Sequence, residues 1–197
     1  MSATKFQRIG IWTIAVALTF GTIGSFVAIV LANDNARVEQ AADRVNSDQQ
    51  LAEFERQQLE AAQANAANAE ALDGYSASSF DGSTVTELGV EVQVQGSGEE
   101  IGATDSVKAS YFGWLPNGTI FDSSNKKEAE DSPVSFPLSG VIAGWTEGLS
   151  GQKIGSVIEL TIPAEKAYGA RGSGIIPANA PLKFIVILQE KTTGESL

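Results

Sequence analysis

Twenty-four consecutive residues from Ile9 to Ala32, IGIWTIAVALTFGTIGSFVAIVLA, carry no charge, and no other stretch constrains the chain so strongly. At about 1.5 Å of rise per residue, a helix of that length spans a hydrocarbon core of roughly 30 Å. The run is apolar all round, whereas a helix buried in a soluble domain keeps a polar stripe. It reads as a transmembrane helix over 9–32. A cleavable secretory signal is the competing reading, with Lys5 and Arg8 as its basic start and Val30-Leu31-Ala32 as a small-residue cleavage site. Secretory signals carry only about 7 to 15 apolar residues, so the length favours an uncleaved anchor. Lys5 and Arg8 precede the span and Asp34 comes after it, which places residues 1–8 in the cytoplasm and everything after Ala32 outside. A bacterial cell envelope suits that arrangement.

The chain beyond the span is long enough for one ordinary domain with accessory segments. The formal net charge of -11 and the scattering of the thirteen Lys and Arg residues exclude a nucleic-acid partner, which would need clustered cations. The chain has no Cys and no His, so thiol nucleophiles, imidazole bases, thiolate zinc sites and disulfides are ruled out by inventory. Residues 33–72 lack Pro and Gly and are rich in Ala, Gln and Glu, the composition of a helical stalk. Val38, Val45, Ala52, Leu59 and Ala66 recur every seven residues, but Ala41, Asp48, Glu55 and Ala62 make the companion positions small or charged. That seam supports weak stalk dimerisation only, and a solvated helix or spacer is the alternative. Residues 73–84, DGYSASSFDGST, have linker composition.

The domain is expected over 85–191, with 192–197 as a tail. Apolar residues alternate at Val90, Val92 and Val94, at Val107, Ala109 and Tyr111, at Ile158, Leu160 and Ile162, and at Leu182, Phe184, Val186 and Leu188. Alternation of this kind marks half-buried strands. Pro116-Asn117-Gly118 supplies a turn between two of them, and Ala143–Leu149 is the one short helical candidate. The fold class is therefore α+β, an antiparallel β-sheet wrapped around one short α-helix. No phosphate loop, serine elbow or metal-spaced cluster occurs, and Glu99, Glu100, Glu128, Glu130 and Asp131 read as solvated charge. The glycines of Gly169–Gly174 belong to a loop connecting strands. Aromatics are unusually frequent at strand ends and loops, and Phe112 and Trp114 are assigned to the core.

Three motifs carry a more specific signal. The run SYFGWLPNGTIFDSS from Ser110 to Ser124, VIAGWTEGL from Val141 to Leu149, and IPAEKAYGARGSGIIPANAPLKF from Ile162 to Phe184 resemble, in order and spacing, the FKBP-type peptidyl-prolyl isomerases. The resemblance covers roughly Val85 to Lys191. It implies an FKBP-like fold and a pocket lined by Tyr111, Phe121, Val141, Ile142, Trp145, Tyr168 and Phe184. Trp145 would be its floor and Asp122 a polar wall, with Phe136 keeping its place and Ile175 and Ile176 bordering the groove. The implied donors to substrate carbonyls are the Ile142 backbone N–H and the Tyr168 hydroxyl. Departures from the pattern are Val134 where an aromatic is frequent, Ala143 at a commonly charged position, and a loop after Tyr168 one residue short with Ser173 near a common His or Pro. They bear on substrate preference and catalytic strength.

The resemblance implies peptidyl-prolyl cis-trans isomerase activity on proline-containing polypeptides, with no cofactor and no metal. Such catalysis breaks no bond, so the missing His and Cys do not count against it. Two alternatives keep the same pocket: a proline-peptide binding module without turnover, and an anchored chaperone.

Overall fold

The structure is a computed structural model that describes residues 47–127 and 131–192. The candidate span at 9–32, the first part of the stalk, Glu128, Glu130 and the tail after 192 lie outside the described residues. Among the described residues, no helix is long and apolar enough to cross a membrane. The chain divides into two compact units, Met1–Glu55 and Arg56–Leu197.

A helix, α1, runs over 47–68 and carries the Ala- and Gln-rich sequence whose propensity predicts it. Within the second unit its end is stitched to a later loop. Glu70 N–H donates to the Asn125 carbonyl at 3.1 Å, and Lys127 N–H donates to the Asn68 carbonyl at 3.0 Å. The Asn125 side-chain amide adds a bond to the Ala71 carbonyl at 2.8 Å.

Six strands come next: β1 Gly89–Val94, β2 Ser106–Trp114, β3 Ile120–Ser123, β4 Val134–Pro137, β5 Val157–Ile162 and β6 Leu182–Thr192. They form one antiparallel sheet in the order β1-β5-β6-β2-β3, with β4 pairing the first half of β2. Helix α2, Ala143–Leu149, lies between β4 and β5 in sequence and packs on β5. The alternating residues and the short helix expected from the sequence thus fall on observed elements. At the β2–β3 turn, Gly118 adopts φ +85° and its N–H reaches the Leu115 carbonyl at 2.8 Å. The Asn117 side chain accepts from the Thr119 N–H at 3.0 Å.

Each face of the sheet owns a separate hydrophobic cluster, because side chains alternate along a strand. The inner face carries Val107, Ala109, Ile158, Leu160, Ile162, Phe184, Val186 and Leu188 against Trp145 and Leu149 of α2. The outer face carries Phe112, Trp114, Val157 and Ile185, and is covered by Leu72, Ala71, Tyr75, Ala77 and Phe80. The stretch with linker composition is therefore packed. Phe80 N–H donates to the Pro116 carbonyl at 2.9 Å, and the Trp114 indole N–H donates to the Ser78 carbonyl at 3.0 Å. The physical reason is that the few apolar residues among those Ser and Gly are large and find an uncovered sheet face. The body of the domain thus begins well before residue 85.

Candidate functional site

The site grows out of β2. Tyr111 faces inward between the outward-facing Ser110 and Phe112, and pairs with Val186 across the β2–β6 ladder. Two residues on, Gly113 faces the same side opposite Phe184. A Cβ at Gly113 would stand 2.4 Å from the Phe184 ring and 2.7 Å from the Phe121 ring, so only glycine lets both rings lie over the strand. The β2–β3 turn then returns the chain so that Phe121 and Asp122 stand beside Tyr111.

Trp145 sits in the first turn of α2 and is 5% exposed. Its ring meets Tyr111 and Phe184 edge-on, at centroid distances of 5.2 Å each and interplanar angles of 86° and 85°. Phe136 of β4 lies 5.2 Å away at 58°, and Phe121 meets Phe184 at 5.5 Å and 89°. Edge-to-face contacts of this kind each add about 0.5–1.5 kcal/mol beyond area burial and hold the rings at defined angles. The indole N–H of Trp145 is, among the described residues, the one buried side-chain polar atom without a hydrogen-bond partner.

These rings enclose a cavity of about 550 Å³ lined by Tyr111, Phe121, Asp122, Val134, Phe136, Val141, Ile142, Trp145, Tyr168 and Phe184, with Gly140 at its margin. The structure therefore brings together nine of the eleven residues expected at the site. The other two, Ile175 and Ile176, line a neighbouring cavity of about 180 Å³ that shares Phe121, Asp122 and Tyr168 with the first. Ile176 is 7% exposed and belongs to the inner core as well. Val134 lines the cavity and is 42% exposed, which leaves that side of the opening low-walled.

Asp122 is the one carboxylate in the wall. Its Oδ2 accepts from the Tyr111 hydroxyl at 2.7 Å, and its Oδ1 accepts from the Asn65 side-chain amide at 2.7 Å and from the Ser123 N–H at 2.8 Å. The Lys126 ammonium stands 3.5 Å from the same Oδ1 and donates to the Asn65 Oδ1 at 2.5 Å. Burial first, and then the Asp122 charge, push the phenols of Tyr111 and Tyr168 above the ordinary tyrosine value. Both hydroxyls accordingly stay protonated and able to donate. A neighbouring carboxylate outside the cavity, Asp131, is exposed yet pinned by Ser124 Oγ at 2.7 Å and by the Ser110 hydroxyl.

Sequence reasoning missed Gly140 and the contribution of α1. Gln58, Ala62 and Asn65 of that helix line the smaller cavity. No local pattern marks them, since a polar helix with scattered alanines reads as solvated. Chemically, the arrangement offers an open, ring-lined pocket, protonated phenols and a fixed carboxylate, and no nucleophile or base of the usual kinds.

Residues 97–189 match a family model described as FKBP-type peptidyl-prolyl cis-trans isomerase. An FK506-binding protein of Neisseria meningitidis is 42% identical over 100 residues, which make up 50% of this chain and 91% of that protein. The FKBP-type peptidyl-prolyl cis-trans isomerase FkpA of Aeromonas hydrophila is 46% identical over 110 residues, covering 55% of this chain and 40% of the relative. The FKBP-type 22 kDa peptidyl-prolyl cis-trans isomerase of Escherichia coli is 46% identical over 113 residues, covering 56% and 53% respectively. The chain thus spans about half the length of these last two relatives or less.

Proposed function

We propose, because the chain belongs to the family of FKBP-type peptidyl-prolyl cis-trans isomerases, that its ring-lined chamber catalyses rotation about X-Pro peptide bonds in polypeptides. The observation that carries this reading is the cavity of about 550 Å³ in which Tyr111, Phe121, Phe136, Trp145, Tyr168 and Phe184 surround space for a proline ring.

Rotation about a peptide bond meets a barrier of roughly 18–20 kcal/mol because amide resonance must be given up. X-Pro bonds consequently interconvert in tens to hundreds of seconds. A site accelerates the step by holding the twisted imide better than either planar form, at about 1.4 kcal/mol for each tenfold. In this chain the proline ring rests on Trp145 between Phe121, Phe136 and Phe184. Leaving water removes solvation that favours the polar planar amide. The Tyr168 hydroxyl and the Ile142 backbone N–H donate to substrate carbonyls as the imide turns. Tyr111 does not move a proton. Its bond to Asp122 fixes the carboxylate and the ring that forms part of the wall.

A proline-limited peptide assay on the full chain in detergent tests the proposal. Tyr168→Phe and Phe121→Ala are expected to lower kcat/KM about tenfold, the size of one lost transition-state contact. Equal rates with and without the protein would remove the catalytic reading and leave a binding module.

The uncharged run at 9–32 supports an anchored protein whose domain faces outward and assists folding of extracytoplasmic polypeptides. Carbonate extraction and protease access in intact and opened cells test the anchor and its orientation. Pairing of two stalks through the Val38–Ala66 heptad would give a dimer in detergent sedimentation, and a monomer removes it.

A further inference from the structure

The family match begins at residue 97, yet the chain places residues from a helix ending at 68 against the proposed site. Gln58, Ala62 and Asn65 have a three- to four-residue spacing, so they share one face of α1. That face forms one wall of the smaller cavity, and Ser173, Gly174, Ile175 and Ile176 form the opposite wall. Phe121, Asp122 and Tyr168 line both this cavity and the ring-lined chamber, so the two communicate through shared side chains.

The wall is built to close tolerance. A Cβ at Gly174 would stand 2.5 Å from the Ala62 Cβ, and Gly174 holds φ +55°, where side chains are disfavoured. The opposing loop is a tight turn, with Ser173 N–H to the Ile176 carbonyl at 3.0 Å and Ile176 N–H to the Ser173 carbonyl at 2.8 Å. Asn65 is clamped between Asp122 and Lys126, donating to one at 2.7 Å and accepting from the other at 2.5 Å. A helix that merely led into the domain would need none of these contacts.

We infer that α1 supplies a second substrate subsite, in which the cleft between Gln58-Ala62-Asn65 and Ser173–Ile176 takes the side chain of a residue flanking the proline. The inference rests on the proposed isomerase reading. About 180 Å³ accommodates one side chain rather than a length of peptide. Asp122 is the one charged residue in the wall, and the Lys126 ammonium behind it, 3.5 Å from its Oδ1, largely offsets that charge. Gln58, Asn65 and Ser173 provide amide and hydroxyl groups, and Ile175 and Ile176 an apolar side, so the cleft fits a neutral side chain that hydrogen-bonds, such as an amide. The segment of the chain outside the family match thereby sets which prolyl bonds are handled best.

Gln58 is exposed, so a charge can be introduced there without disturbing the core. The full chain in detergent, with Gln58→Lys or Gln58→Glu, is titrated with labelled proline peptides bearing Glu, Lys, Gln or Ala on either side of the proline. Gln93→Lys and Gln93→Glu, on exposed β1, serve as charge controls. The ratio of affinities for Glu- and Lys-bearing peptides is expected to shift about tenfold between the two Gln58 variants, at the flanking position that enters the cleft. At Gln93 it shifts less than about twofold. Equal shifts at the two positions, or none, with the Ala-bearing peptide still bound, overturn the subsite and leave the chamber standing. Failure of the unaltered chain to bind any of the peptides overturns the chamber and the subsite together.

Discussion

The two faces of β2 present aromatic residues to opposite fates. On the outer face Phe112 and Trp114 stack at 5.1 Å and are sealed under Leu72, Tyr75 and Phe80. On the inner face Tyr111, Phe184 and Trp145 surround a space that nothing in the described chain fills. Composition does not distinguish the two sets, since both are rings on or against the same short strand. What differs is the cover: the outer set has the segment from Leu72 to Phe80 laid over it, and the inner set is walled by β3, β4, α2 and a loop but not closed over. A pocket here is a core from which the lid has been left off, held open by the edge-on geometry of its rings.

The comparison breaks most readily at Phe112, which is fully buried. Phe112→Ala is expected to lower unfolding free energy by about 3–5 kcal/mol while kcat/KM of the folded fraction stays within about twofold. Chemical denaturation beside a low-temperature peptide assay checks both halves. A catalytic loss as large as the loss of stability would mean that the faces are not independent.

Leu72→Ala sharpens the point about cover. Leu72 is 4% exposed, and its truncation is expected to cost about 2–4 kcal/mol, read as a drop in the denaturation midpoint. A true linker residue would cost nothing measurable.

Tyr111→Phe is the converse test. It removes one hydrogen bond to the Asp122 carboxylate, worth about 1.5 kcal/mol where the donor is half buried, and should lower kcat/KM several-fold while the structure persists. Unchanged turnover would show that Asp122 needs no fixing from this side.

The smallest effect is on pH. Tyr111 and Tyr168 have folded values above the ordinary 10.0, from burial first and the Asp122 charge next. A raised folded value means stability is fully present below pH 10 and declines as pH rises through the folded values. Ultraviolet titration should find both phenols ionising above the ordinary tyrosine value, and kcat/KM should show no break near neutral pH. Ionisation of either residue at or below the ordinary tyrosine value would contradict the assignment.

Much of this architecture is legible locally. Val107, Ala109 and Tyr111 alternate because they share the inner face of the sheet, and Ile158, Leu160 and Ile162 repeat the pattern. AGWTEGL is too short to stand alone and so announces a helix packed on a sheet. The pocket residues could be named because they sit in ordered motifs. The packed segment over 69–80 escaped because its Ser, Gly and Asp content has the chemistry of loops, and its three large apolar residues have no period. Asn65, Gln58 and Ala62 escaped for a different reason. Asn65 meets Asp122 and Lys126, and Ala62 meets Gly174, all more than fifty residues away, and a contact at that separation leaves no mark on either local pattern.

Strand positions, the single short helix, the inventory of usable chemistry and the family are properties of the linear chain, because backbone periodicity and residue type act over a few positions. What covers Phe112 and Trp114, and that a helix from before the domain reaches Asp122, were settled only by folding. Those outcomes depend on what surface remains uncovered after the sheet has formed, a quantity that exists only in three dimensions.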